Sequence, residues 1–159
     1  MHPTRNDIAE NSRNGVIALL NARLADLIDL QLALKHAHWN VKGPHFIALH
    51  EMFDDLQGGL SEPIDDMAER IVALGGTAMG SVQAVAAATS LAPFPGDVFD
   101  GLRIVEALAD RTAALARSVR KGIEETTEMG DADAADLLTG LSRQLDKALW
   151  FLEAHLQRG

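Results

Sequence analysis

Four side chains able to bind a metal recur in two pairs, His50 with Asp54 and Asp65 with Glu69. Each pair has i, i+4 spacing, which sets two ligands side by side on one helix face. Imidazole plus carboxylate is donor chemistry for iron, zinc and manganese. The pairs stand fifteen residues apart, about 22 Å along a helix rising 1.5 Å per residue. Ligands must converge to roughly 2 Å from one ion, so one helix cannot close one site from both pairs. A second copy of the helix, lying antiparallel, would set His50 and Asp54 of one chain against Asp65 and Glu69 of the other. A twofold axis would then make two identical sites. The crossing falls near Gly58-Gly59, where small residues let two backbones approach. His38, on the apolar stripe of the preceding helix and followed by Trp39, is a fifth candidate ligand, because a buried imidazole needs a hydrogen-bond or metal partner. Singly, each pair reads as a solvated helix face and His38 as a core histidine; together they favour a metal.

Four long helices must position these groups. The first is expected from Ile8 to His38, with Ile17, Leu20, Leu24, Leu27, Ile28 and Leu34 on one stripe. Gly43-Pro44 marks a turn. The second is expected from Pro44 to Leu74, where Leu49, Phe53, Leu56, Leu60, Ile64, Met67, Ile71 and Leu74 share a core-facing arc. Pro63 strains that helix, because proline removes one hydrogen bond and clashes with the preceding turn. Ser61 could cap a new helix there, with Glu62 and Pro63 in its first turn. A kink would move Asp65 and Glu69 off the common face. A long, uncharged connection follows, with a short helix around Val82 to Ala88, then helices from Asp97 to Glu128 and from Ala132 to Gln157. No alternating strand pattern appears. The expectation is one all-α domain over residues 1–159, a four-helix bundle whose long middle connection lets helices two and three run parallel.

Composition narrows the chemistry. The 159 residues include no cysteine, which excludes disulfides, thiolate zinc sites and cysteine nucleophiles. Tyrosine is absent and aromatics total 4%, against a base-stacking platform. The formal net charge is −9, which disfavours a general affinity for phosphate backbones. Ile71–Gly96 carries no charge, but glycines, prolines and polar residues interrupt it. A buried or interface segment is expected there rather than a membrane span. No signal peptide is visible, so the cytoplasm is the expected location, with the nucleoid as its alternative.

The run from Lys35 to Phe46, with His36, His38, Trp39, Asn40, Gly43, Pro44 and His45, resembles the Dps family of ferritin-like mini-cages. So do Leu49–Asp54, Asp65–Arg70 and Leu145–Glu153. The resemblance covers nearly the whole chain and implies a ferritin-like bundle. It implies an iron-oxidation centre of His38, His50 and Asp54 from one subunit with Asp65 and Glu69 from its twofold mate, and gives Trp39 a role in catching stray oxidising equivalents. It implies a homo-dodecamer built on twofold dimers, a ferroxidase using hydrogen peroxide or O2, two irons (Fe2+/Fe3+) per inter-subunit site, no organic cofactor, and ferric mineral stored inside. Protection against oxidative damage would follow. Asp136 best matches the family's pore acids, with Asp131 and Asp133 beside it; all three also read as acids favoured at a helix N-terminus. Glu51 and Asp55 belong to a third, acidic face of the second helix, with Glu62 and Asp66; facing inward, they would nucleate mineral. The alternative function is DNA binding and protection with iron oxidation secondary. Family members that condense DNA often carry basic tails, and here only about seven residues, with Arg5 the firm cation, precede Ile8, while the other terminus ends Gln157-Arg158-Gly159. Weak or absent DNA binding is expected, and no membrane partner.

Overall fold

The computed structural model describes residues 1–157, and Arg158, the expected C-terminal cation, lies outside them. Six helical segments and no strand occur among the described residues: α1 (Glu10–Asn40), α2 (Phe46–Gly59), α3 (Ser61–Ala73), α4 (Val82–Ala88), α5 (Gly101–Glu128) and α6 (Ala132–Ala154). Four long rods, with α2 and α3 together forming the second, make the bundle. Its core draws Leu20, Leu24, Leu27 and Leu34 from α1, Phe53, Met67 and Ile71 from α2–α3, and Ile104, Leu108, Leu115, Leu138 and Leu145 from α5–α6. The stripes expected from helical periodicity are therefore the faces that are buried.

Helix ends follow local chemistry. Asp100 caps α5, its carboxylate accepting from the Arg103 N–H at 3.1 Å. Asp131 caps α6, accepting from the Ala134 N–H at 2.9 Å. Gly75 (φ +89°) follows α3 and Gly130 (φ +80°) follows α5, where a left-handed residue closes a helix cheaply only as glycine. The observed spans differ from the expected ones at several ends: α1 starts later, at Glu10, and runs on to Asn40, α5 starts at Gly101, and α6 stops at Ala154.

The second rod is not one helix. It breaks at Leu60, whose N–H turns back to the Gln57 carbonyl at 3.2 Å, while Ile64 N–H bonds to the Leu60 carbonyl at 3.1 Å. Leu60 rather than Ser61 is the cap residue, and no side chain caps α3. The Ser61 hydroxyl instead accepts from Gln31 Nε2 of α1 at 3.1 Å.

Chain direction is fixed at both ends of the bundle. Lys42 N–H donates to the Phe99 carbonyl at 2.8 Å, so α2 and α5 start together. At the far end Arg70 of α3 pairs with Asp131 at the start of α6. The second and third rods therefore run parallel, as a long connection permits. That connection is fastened to α1 by polar groups. Asp26, fully buried, accepts from Ser90 N–H at 2.6 Å and Ser90 Oγ at 3.0 Å and pairs with Arg23 Nη2 at 2.7 Å. Asp29 accepts from Thr89 Oγ1 at 2.8 Å and pairs with buried Arg111, also at 2.8 Å. Val85 and Leu91 of the uncharged stretch are buried, whereas Met79 and Val82 remain exposed.

The N-terminal segment, expected as a short tail, is also tied down. His2 N–H donates to the Gly75 carbonyl at 2.7 Å, and Arg13 Nη1 donates to the Leu74 carbonyl at 3.1 Å. These are carbonyls at the end of α3, which have no partner within the helix.

Candidate metal centre

His38 lies in the last turn of α1 and His50 one turn into α2, so the Val41–His45 turn brings them face to face. Their rings stack with centroids 3.7 Å apart and planes 20° from parallel. His38 Nδ1 lies 2.8 Å from the His50 carbonyl, and His50 Nδ1 lies 2.8 Å from the His38 carbonyl. A carbonyl oxygen only accepts, so each Nδ1 carries the proton and each Nε2 keeps its lone pair. Metal-ligating histidines are oriented in this way, the second ring nitrogen donating to a carbonyl or carboxylate. The exchange is reciprocal, and either ring would lose its anchor if the other's backbone moved.

Asp54 stands one turn beyond His50, half-buried, with Oδ1 4.0 Å from His38 Nδ1. Lys35 of α1 forms an ion pair with the same carboxylate oxygen. The Lys35 hydrogen bond holds the Asp54 carboxyl below its ordinary 3.8, helped by the charges of His38, Lys35 and His50 and opposed by burial. Phe46 packs against His50 with ring centroids 5.2 Å apart.

Asp65 and Glu69 lie on α3, exposed, and neither makes a side-chain hydrogen bond or ion pair among the described residues. Within one chain no group of three or more His, Asp or Glu side chains is gathered tightly enough to hold a metal, among the described residues. The bundle interior offers no alternative. Its buried polar residues are Asp26, Arg111, Thr112, Thr126, Asp131 and Ser142, with no histidine or glutamate. The inward-facing glutamate and histidine set that builds a di-iron site inside a bundle is thus absent from this core, among the described residues.

The remaining candidates separate into distinct places. Trp39 follows His38 in sequence but points outward, 69% exposed, with the Lys35 ammonium 5.9 Å from its ring centroid. The aromatic against the histidines is Phe46, which residue spacing did not single out; a position four residues before His50 was the available signal. Lys35 was likewise passed over, although it lies one turn before His38. Asp131 is fully buried as a helix cap and as the partner of Arg70. Asp133 and Asp136 line an open cleft of about 680 Å³ together with Glu62, Asp66 and Glu69. Glu51 and Asp55 line another, of about 530 Å³, between α2 and α6, opposite Lys147 and Phe151.

Residues 17–159 match the ferritin-like domain family. The DNA protection during starvation protein of Agrobacterium fabrum is 48% identical over 156 residues, covering 98% of this chain and 96% of that protein. The chain belongs to the ferritin-like proteins, among the Dps proteins. DpsA14 from Streptomyces coelicolor superposes with a TM-score of 0.93 at 38% identity, covering 98% of this chain and 92% of that one. A Dps protein from Vibrio cholerae O1, described as a member of a superfamily of ferritin-like diiron-carboxylate proteins, superposes with a TM-score of 0.91 at 27% identity. That match covers 99% of this chain and 98% of that one. An all-helical ferritin-like bundle with a short helix in its long connection is therefore the fold of this Dps protein. No helix among the described residues is long and apolar enough to cross a membrane.

Proposed function

We propose that this Dps protein oxidises ferrous ions at centres shared between twofold-related subunits and stores the ferric product within a dodecameric cage in the cytoplasm. The observation that carries this reading is the reciprocal hydrogen bonding of His38 and His50, which leaves the Nε2 lone pair of each ring unused, with the Asp54 carboxylate 4.0 Å from His38 Nδ1. Two nitrogens and a carboxylate form half a coordination sphere. Asp65 and Glu69 from the mate supply the other half as free, exposed carboxylates. A mixed nitrogen and oxygen donor set suits iron and holds it loosely enough to release it as product.

Iron is the substrate. Two ferrous ions held together each lose one electron, hydrogen peroxide takes both, its O–O bond breaks, and with two protons it leaves as two waters. Paired delivery avoids the one-electron step that would free hydroxyl radical, which favours peroxide over O2 as oxidant. Asp133 and Asp136 guide cations towards the cage, and Glu51 and Asp55 offer carboxylates for the first mineral. Trp39, exposed beside Lys35, is an acceptor for stray oxidising equivalents. Protection of DNA, which the Agrobacterium relative's name states of that protein, follows here from removing iron and peroxide. The formal net charge of −9 opposes phosphate backbones, so a plasmid gel shift at moderate salt should show no retarded complex.

The decisive experiment mixes two inactive variants. Asp54→Ala and Glu69→Ala chains, each alone, should lose ferric absorbance after ferrous iron and peroxide are added. Co-refolded in equal amounts, they should recover about a quarter of the parent activity. Half of randomly paired twofold dimers are mixed, and each mixed dimer carries one intact site of two. No recovery in an intact oligomer would refute shared sites.

A further inference from the structure

Pro63 has no N–H, so the Gly59 carbonyl, four residues earlier, loses its helical partner. The structure supplies another. Gln144 of α6 donates from Nε2 to the Gly59 carbonyl at 2.5 Å. A carbonyl only accepts, which fixes the amide orientation. Gly59 also makes room, since a Cβ there would stand 3.2 Å from Gln144 Nε2. From another helix, Gln31 Nε2 of α1 donates to the Gln57 carbonyl at 3.2 Å and to Ser61 Oγ at 3.1 Å. The break at Leu60 is thus held by two glutamine side chains, one from α1 and one from α6.

We propose that Gln144, with Gln31 in support, is a positioning residue that sets the angle between α2 and α3 and thereby the register of the shared metal centre. This rests on the proposed inter-subunit site and adds what aligns its halves. His50 and Asp54 lie before the joint, and Asp65 and Glu69 lie after it. Glu69 is nine residues beyond Leu60, about 13.5 Å along the helix. Each 5° of bend there moves it by about 1 Å, several times the roughly 0.2 Å that metal–ligand distances tolerate. In a twofold pair the same joint acts in both chains, so one wrong angle misaligns both sites. The joint must be held at one angle. A helix straightened through position 63 would carry the acids off target, and an unheld break would let them wander.

The test reads binding of cobalt(II), a redox-quiet stand-in for ferrous iron, by calorimetry and by its visible ligand-field bands. Pro63→Ala returns an N–H to the Gly59 carbonyl and should preserve or raise Tm while weakening cobalt binding at least 10-fold. Gln144→Glu, which is isosteric but presents only acceptors, should weaken binding similarly and shift the bands, with the oligomer intact by light scattering. Gln31→Ala should give the same change to a smaller extent. Thr112→Val removes a buried hydrogen bond within α5; it should lower Tm and leave cobalt affinity unchanged, which separates positioning from general destabilisation. Pro63→Ala and Gln144→Glu binding cobalt within twofold of the parent, with unchanged bands, would overturn the proposal. If Gln144→Glu fails to fold, Pro63→Ala alone decides, since it deletes no contact of the joint. Asp54→Asn and Glu69→Gln distinguish the two levels. Loss of cobalt in these but not in the joint variants defeats only the positioning role, whereas retention in them defeats the shared site and this inference with it.

Discussion

The two halves of the candidate centre are built in opposite ways. On α1 and α2, His38 and His50 are stacked, half-buried and bonded to each other's backbone, and Asp54 is already paired with Lys35. On α3, Asp65 and Glu69 stand exposed and unpaired among the described residues. An imidazole offers a metal one lone pair in one direction and must be aimed beforehand. A carboxylate has two oxygens and several acceptor directions, so it can arrive free and adjust. Aiming the histidines needs contacts at the rings themselves, whereas aiming the acids needs contacts only at the joint from which their helix runs.

The largest effect that would break this contrast is on turnover. His50→Ala with Asp54→Ala should reduce iron oxidation beyond the ~100-fold that loss of an outer partner of a ligand costs, and Asp65→Asn with Glu69→Gln should do the same. Rates equal to the parent in either variant would show that half to be a bystander. Stability should then tell the halves apart. His38→Ala removes a buried stack and the Nδ1–H bond to His50, and urea unfolding should show a loss of about 1–2 kcal/mol. Asp65→Asn with Glu69→Gln should stay within about 0.5 kcal/mol of the parent, as exposed, unpaired positions do. A smaller effect concerns charge. The Asp54 carboxyl is depressed chiefly by Lys35, so Lys35→Met should raise it towards the ordinary 3.8, read as the Asp54-dependent part of an infrared titration. A depressed native value means that the contribution of Asp54 to stability is present above its unfolded value. It is lost only as pH falls through the lower native value. In Lys35→Met the native and unfolded values converge, so that contribution should shrink towards zero. The smallest expected effect is at Phe46: Phe46→Leu should slow oxidation by only a few-fold, by loosening the His50 ring.

Much of this was legible in the sequence, for identifiable reasons. The i, i+4 pairs and the apolar stripes are periodic, and periodicity survives without knowledge of neighbours. The short helix at Val82–Ala88 lies where it was expected within the uncharged connection, and the structure shows Ser81 capping it by accepting from the Ala84 N–H. The parallel course of α2–α3 and α5 followed from the length of their connection. Lys35, Phe46, Gln31 and Gln144 were illegible as partners of the site or its joint. Their roles depend on which helix faces which, and a lone glutamine or lysine on a helix carries no periodic signal. Trp39 follows His38 in sequence but stands about 100° round the helix from it, exposed beside Lys35.

The sequence by itself determined the ligand types, their helical spacing and the impossibility of closing one site from one helix, because these follow from rise per residue and coordination distance. Only the tertiary structure decided which histidine nitrogen is free, that Lys35 occupies the Asp54 carboxylate, and that Pro63 produces a held joint rather than a broken rod. Those depend on hydrogen bonds between residues far apart in the chain, and such contacts exist only once the helices have packed.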